Sequence, residues 1–124
     1  MLNKSKYFSK FIFSATDGTN LYVTDYKYNL IHKVVISRGV VTTLAGTGSS
    51  DSAIGTGTAA SFNGPAGLSS DGTNLYVGEY SNHLIRKIVI STGVVTMIAG
   101  TGSSGSTNGT GTAASFIGPV GLTT

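Results

Sequence analysis

The chain has no cysteine, no tryptophan and only 2 prolines in 124 residues, and charged side chains fill just 10% of its positions. Without thiols there is no disulfide framework, no thiolate zinc site and no cysteine nucleophile, and nothing in the sequence reports on redox compartment. Sparse charge beside 40% apolar residues is the reverse of a disordered composition. No apolar run approaches the roughly 18–20 residues of a membrane-spanning helix, so no membrane partner is expected.

The net charge of +3 is also weaker than it looks. Lys4, Lys6 and Lys10 form a basic N-terminal tail over residues 1–10, whereas Lys27, Lys33, Arg38, Arg86 and Lys87 are matched by Asp17, Asp25, Asp51, Asp71 and Glu79. Nucleic-acid binding needs a stripe of cations to neutralise phosphates, and the body of this chain has none. The apolar stretch after Lys10, Phe11–Ala15, is shorter than the about 7–15 residues of a secretion signal, so a cleaved leader is not expected. Localisation stays open.

What the sequence has in quantity is glycine, 18 residues, and repetition. Asp-Gly-Thr-Asn-Leu-Tyr-Val begins at Asp17 and again at Asp71, an offset of 54. Aligning 17–70 with 71–124 gives 17 differences in 54 positions, hence 37 identities, without a gap. Residues 11–124 therefore divide into two repeat units, 17–70 and 71–124, preceded by a weakly matching 11–16. A duplication of this kind is the signature of a repeat architecture.

Within a unit the apolar period is two. In the second copy Leu75-Tyr76-Val77 follows an Asp-Gly-Thr-Asn turn, Leu84–Ile90 comes next, and Val94–Ala99 follows the turn at Ser91-Thr92-Gly93. Ala66-Gly67-Leu68 opens this unit, and Val120-Gly121-Leu122 is expected as the strand that opens a following one. Each unit reads as a four-stranded antiparallel meander. The strands are apolar on both faces, so each sheet must be covered on both sides. Small four-stranded sheets with that requirement are the blades of a β-propeller, so the expected class is all-β. Gly100–Ile117, rich in Gly, Ser, Thr and Ala, is expected as a surface excursion, with one helical turn at Thr112–Phe116 pinning it through the phenylalanine.

Leu75-Tyr76-Val77, Asn82-His83-Leu84-Ile85-Arg86-Lys87-Ile88 and Ala99-Gly100-Thr101-Gly102 resemble the NHL repeat in its long-blade bacterial form, as do Gly-Thr-Ala-Ala-Ser-Phe and Gly-Pro-Val-Gly-Leu further on. The resemblance covers 17–124. It implies a β-propeller, commonly of six blades, with binding sites in the loops around the central axis. The first copy departs from it, with Tyr28-Asn29-Leu30 for Asn82-His83-Leu84 and His32 for Arg86.

Two blades do not close a ring. The expectation is head-to-tail association of copies, three chains of two blades making a six-bladed homotrimer, with a fragment of a longer propeller as the bland alternative. Both 11–15 and 120–124 read as the first strand of a blade. Gly118, Pro119, Val120, Gly121 and Leu122 are therefore expected to dock on a neighbouring chain as its inner strand and close the oligomer.

Catalytic material is scarce. His32 alternates with Leu30, Val34 and Ile36 and is expected as a hydrogen-bonded interior histidine; His83 is expected at a turn. Asp25 and Glu79, at equivalent places before a tyrosine turn, are the weak metal candidates, with acceptance of hydrogen bonds from turn amides or from Arg86 and Lys87 as the favoured role. Arg86, Lys33 and Lys87 are expected to snorkel or to pair across blades. No nucleophile triad, zinc helix, calcium loop or phosphate loop is present. No cofactor and no enzymatic activity are expected. The expected role is an interaction scaffold that binds a protein or carbohydrate ligand through Tyr26, Tyr28, Tyr80, Asn82 and His83. A metal-dependent lactonase or lyase, on family analogy, and a structural repeat without ligand are the alternatives.

Overall fold

The computed structural model describes residues 13–122. They form two antiparallel sheets. The first has the order β1 (Ser14–Thr16), β2 (Asn20–Asp25), β3 (Leu30–Val35), β4 (Val40–Ala45). The second contains β5 (Gly55–Thr56), β6 (Pro65–Ser70), β7 (Asn74–Glu79), β8 (Leu84–Val89) and β9 (Val94–Ala99), in the spatial order β5-β9-β8-β7-β6. The protein is thus all-β, and its two units are two meanders, as the alternation of apolar residues requires. The basic tail 1–10 lies outside the described residues.

The turns explain the strand boundaries. The Asp17 carboxylate accepts the backbone N–H groups of Thr19 and Asn20 at 3.0 and 2.8 Å, and Asp71 does the same for Thr73 and Asn74 at 2.9 and 2.7 Å. Each carboxylate therefore replaces the ladder where the chain reverses. Its second oxygen accepts the hydroxyl of the tyrosine five residues on, Tyr22 at 2.8 Å and Tyr76 at 2.9 Å. At the other end of the strand pair, Asn29 and His83 take φ of 60° and 56°, a left-handed conformation that asparagine tolerates best.

The core lies between the sheets. Tyr22, Thr24, Ile31 and Ala45 of the first sheet are buried over Leu68, Leu75, Val77, Ile88 and Val95 of the second. The Thr24 hydroxyl donates across this junction to the Ala66 carbonyl at 2.9 Å, and Asn29 Oδ1 accepts the Gly64 N–H at 2.9 Å.

The connection expected as a surface excursion, Gly100–Ile117, is for the most part exposed. Its counterpart in the first unit, 46–63, crosses onto the second sheet, adds β5 to its outer edge opposite Val94 and Val95, and buries Phe62 completely. Its local turn is a 3-10 turn at Gly57–Ala59, repeated at Gly111–Ala113 in the second connection, and not a turn at Thr112–Phe116. A Gly- and Ser-rich segment has no periodicity to betray such a strand; the free edge of β9 makes it. Among the described residues 118–122 forms no strand with its own chain. It packs on its own chain: a Cβ on Gly67 would collide with the Val120 carbonyl, and one on Gly78 would come within 2.9 Å of the Pro119 oxygen. The inner edge of the first sheet is already taken by β1, paired Ser14 to Val23 and Thr16 to Leu21.

Candidate functional site

The residues singled out from the sequence fall into two groups. Tyr26, Tyr28 and Tyr80 lie on the β2–β3 and β7–β8 turns at one end of the sheets. The Tyr26 and Tyr80 rings meet edge to face with centroids 6.0 Å apart, and Lys27 Nζ lies 5.5 Å from the Tyr28 centroid. Tyr28 is 59% exposed and Tyr80 42%. These rings give an aromatic, hydroxyl-bearing surface on turns held by the sheets behind them.

Asn82 and His83 make hydrogen bonds within the chain. Asn82 Nδ2 donates to the Asp51 carbonyl at 2.9 Å and to Glu79 Oε1 at 3.0 Å. His83 Nδ1 accepts the Gly118 N–H at 2.9 Å. The bond repeats the one between Asn29 and Gly64, so position 83 holds the end of the second connection as position 29 holds the end of the first. His83 is half-buried rather than offered to solvent.

Glu79 takes the role expected for it from the sequence, accepting hydrogen bonds from Arg86 and from a backbone amide. Glu79 and Arg86 are both fully buried and meet at 3.1 Å. Glu79 also accepts the Asn63 N–H at 2.9 Å, while Arg86 donates to the carbonyls of Ser61 and Ala53 at 3.0 Å each and stacks 5.1 Å from the Phe62 centroid. Burial pushes the Glu79 carboxyl above its ordinary range, with Arg86 pulling the other way. Arg86 therefore neither snorkels nor reaches across to the other sheet; it is the clamp that holds connection 46–63 down. In the first sheet the same two positions carry Asp25 and His32, with Nε2 and Oδ2 3.6 Å apart and side chains 23% and 25% exposed. His32 is thus a surface-facing partner of a carboxylate, not an interior residue. The signal was present in the repeat alignment, where the acid and the base change together.

Among the described residues no three His, Asp or Glu side chains converge as a metal site requires, and the Glu79 carboxylate is already occupied by Arg86 and two N–H donors.

Comparison with solved structures places this geometry among larger proteins. A structural-genomics protein of unknown function from Bacteroides thetaiotaomicron superimposes with a TM-score of 0.75 at 23% identity, over 85% of this chain and 27% of that one. An auxiliary nutrient binding protein from the same organism gives 0.72 at 23% identity, over 90% and 32%. One from Bacteroides ovatus gives 0.71 at 21%, over 84% and 29%. The chain spans about three tenths of the length of these structures, and the likeness at such identity is one of fold. No protein-family model matches the chain, and no curated protein is similar to it.

Proposed function

We propose that the chain is a two-blade β-propeller module of NHL type, that copies of it associate head to tail into a closed ring of three, and that the ring is a binding scaffold rather than an enzyme. The observation that carries this reading is a difference between twins. Val95, on the face of the second sheet that the first sheet and connection 46–63 cover, is 1% exposed; its counterpart Val41 is 59% exposed. Leu75, Val77 and Ile88 are buried in the same face, while Leu21, Val23 and Val34 are only partly so. Among the described residues no segment covers the first sheet as its own back face covers the second. Two blades are also about a third of a six-bladed ring, close to the share of the similar structures that this chain spans.

The ligand surface in this reading is the tyrosine-bearing turn cluster, which the ring repeats from chain to chain. Aromatic rings with hydroxyl groups suit a sugar or a peptide equally. Two of the similar proteins are described as nutrient binding, which favours a small polar nutrient, a carbohydrate, as the ligand.

Sedimentation velocity on the 124-residue chain at micromolar concentration tests the assembly. The expected species has three times the chain mass of 12.6 kDa. A single folded chain across that range overturns the ring. Titration with a panel of soluble oligosaccharides tests the surface: binding lost in a Tyr28→Ala/Tyr80→Ala variant supports it, and binding unchanged in that variant overturns it.

A further inference from the structure

An asparagine or aspartate precedes glycine at Asp17-Gly18, Asn63-Gly64, Asp71-Gly72 and Asn108-Gly109. Such pairs are chemically fragile. Glycine puts no side chain in the way when its amide nitrogen turns back on the side-chain carbonyl before it.

The fold holds three of the four. Thr16 Oγ1 accepts the Gly18 N–H at 3.0 Å, and Ser70 Oγ accepts the Gly72 N–H at 3.1 Å. The Asp17 and Asp71 carboxyls, held at about 2, are ionised, and an ionised carboxylate is a poor electrophile. Asn63-Gly64 is tied on both sides. The Asn63 N–H donates to Glu79 at 2.9 Å, the Gly64 N–H to Asn29 Oδ1 at 2.9 Å, and the Gly64 carbonyl accepts the Tyr80 N–H at 2.7 Å. Gly64 is also buried.

Asn108-Gly109 has none of this. Both residues are exposed, and among the described residues no hydrogen bond is made by the Asn108 side chain or the Gly109 N–H. Only the flanks are held. Thr107 N–H donates to Ser115 Oγ at 2.8 Å, Ser115 N–H donates to the Thr107 carbonyl at 2.9 Å, and the 3-10 turn Gly111–Ala113 follows. Covering the connection would not hide the side chain. Ile54, at the same place in connection 46–63, is 61% exposed although that connection lies on the second sheet.

We propose that Asn108 is a site of spontaneous deamidation, and that the second connection is where this chain changes covalently with age. The Gly109 amide nitrogen gives its proton to hydroxide and attacks Asn108 Cγ. A C–N bond forms, the bond from Cγ to the side-chain nitrogen breaks, and that nitrogen takes a proton from water and leaves as ammonia. Water then opens the cyclic imide. Opening at Cγ leaves aspartate at this position; opening at the main-chain carbonyl leaves isoaspartate, with the backbone running through Cβ and Cγ. Either product adds a carboxylate, so the net charge of +3 falls by one. Isoaspartate also lengthens the main chain beside Thr107 and so strains its two bonds to Ser115. The site is independent of the ring proposed above.

The test is the folded full-length chain, incubated in mildly alkaline buffer and sampled by cation-exchange chromatography and peptide mass mapping. A less basic species is expected, converted at Asn108 to aspartate and isoaspartate at a rate proportional to hydroxide. Asn63 is expected to convert more than about tenfold slower, since it reacts only through local opening. In urea that gap is expected to close. Asn108→Gln, which breaks no hydrogen bond of the fold, is expected to remove the less basic species. An Asn108 that stays intact in the folded chain overturns the site, as does conversion at Asn63, Asp17 or Asp71 level with it or ahead of it. A gap between Asn63 and Asn108 that persists in urea overturns the protection assigned to the fold. Sedimentation mass bears on the ring alone, so the two readings fail separately.

Discussion

Arg86 and Glu79 meet at 3.1 Å with neither side chain touching water. A buried pair of this kind gains little over an apolar replacement, but removing one partner strands the other. Arg86→Met leaves the Glu79 carboxyl in an apolar site with only its N–H donors and frees the carbonyls of Ser61 and Ala53. The expected loss is about 3–5 kcal/mol of unfolding free energy in urea. Glu79→Met combined with Arg86→Met is expected to be more stable than Arg86→Met alone. The reverse order would show that the pair does not act as a unit.

His83 is the residue whose role is easiest to mistake for chemistry. Its φ of 56° is costly for a branched side chain, and its Nδ1 is the acceptor for Gly118 N–H. His83→Asn, which restores what stands at position 29, is expected to change stability by less than about 0.5 kcal/mol. His83→Val adds strain and loses the acceptor, at a cost of about 2–3 kcal/mol. Amide exchange at Gly118 separates the two, rising in the valine variant and not in the asparagine one.

Asp17 and Tyr22 predict a pH profile with two limbs. Hydrogen bonds from the Asn20 and Thr19 amides and the Tyr22 hydroxyl hold the Asp17 carboxyl at about 2, below its ordinary 3.8. Burial, then the bond to Asp17, pushes the Tyr22 phenol up to about 12. A lowered carboxylate stabilises the fold above its unfolded value and loses that contribution as pH falls from about 4 to about 2. A raised phenol stabilises it below about 10 and loses that contribution as pH rises to about 12. Asp71 behaves as Asp17 does, held at about 2 chiefly by the Asn74 and Thr73 amides. Denaturant melts across pH are expected to show both limbs, and Tyr22→Phe to flatten the alkaline one. A stability constant from pH 10 to 12 in the parent chain would contradict the bond.

The sheets were readable because their cause is local. Asp-Gly-Thr-Asn encodes the turn, alternating apolar residues encode the strands, and both recur at the same offset. The strand at Gly55–Thr56 was not readable, since a two-residue strand with one glycine shows no alternation; its position is decided by the open edge of β9. Position 83 looked like a ligand because histidine carries chemistry, while its left-handed backbone, visible only in three dimensions, is what asks for a side-chain acceptor there. The acid–base pair lies between these cases. Asp25 with His32 and Glu79 with Arg86 are seven residues apart in each unit, and their joint substitution already marks them as partners. Sequence could not say that one pair is sealed and the other exposed. That depends on which faces of the sheets find each other.

Phe62 and Phe116 turn this asymmetry into a last measurement. Phe62 is fully buried within the core of one chain, so Phe62→Ala is expected to cost about 3–5 kcal/mol at any protein concentration. Phe116 is only partly buried in the single chain, and in the proposed ring a second copy would cover it. Association of folded chains raises the melting midpoint with concentration, because only the folded state binds. The parent chain is therefore expected to melt later as its concentration rises. Phe116→Ala is expected to abolish that dependence while melting near the parent value at high dilution. Phe62→Ala is expected to melt earlier throughout and to keep the slope. If both substitutions lower the midpoint equally at every dilution, Phe116 belongs to the fold of the single chain and the two phenylalanines are equivalent after all.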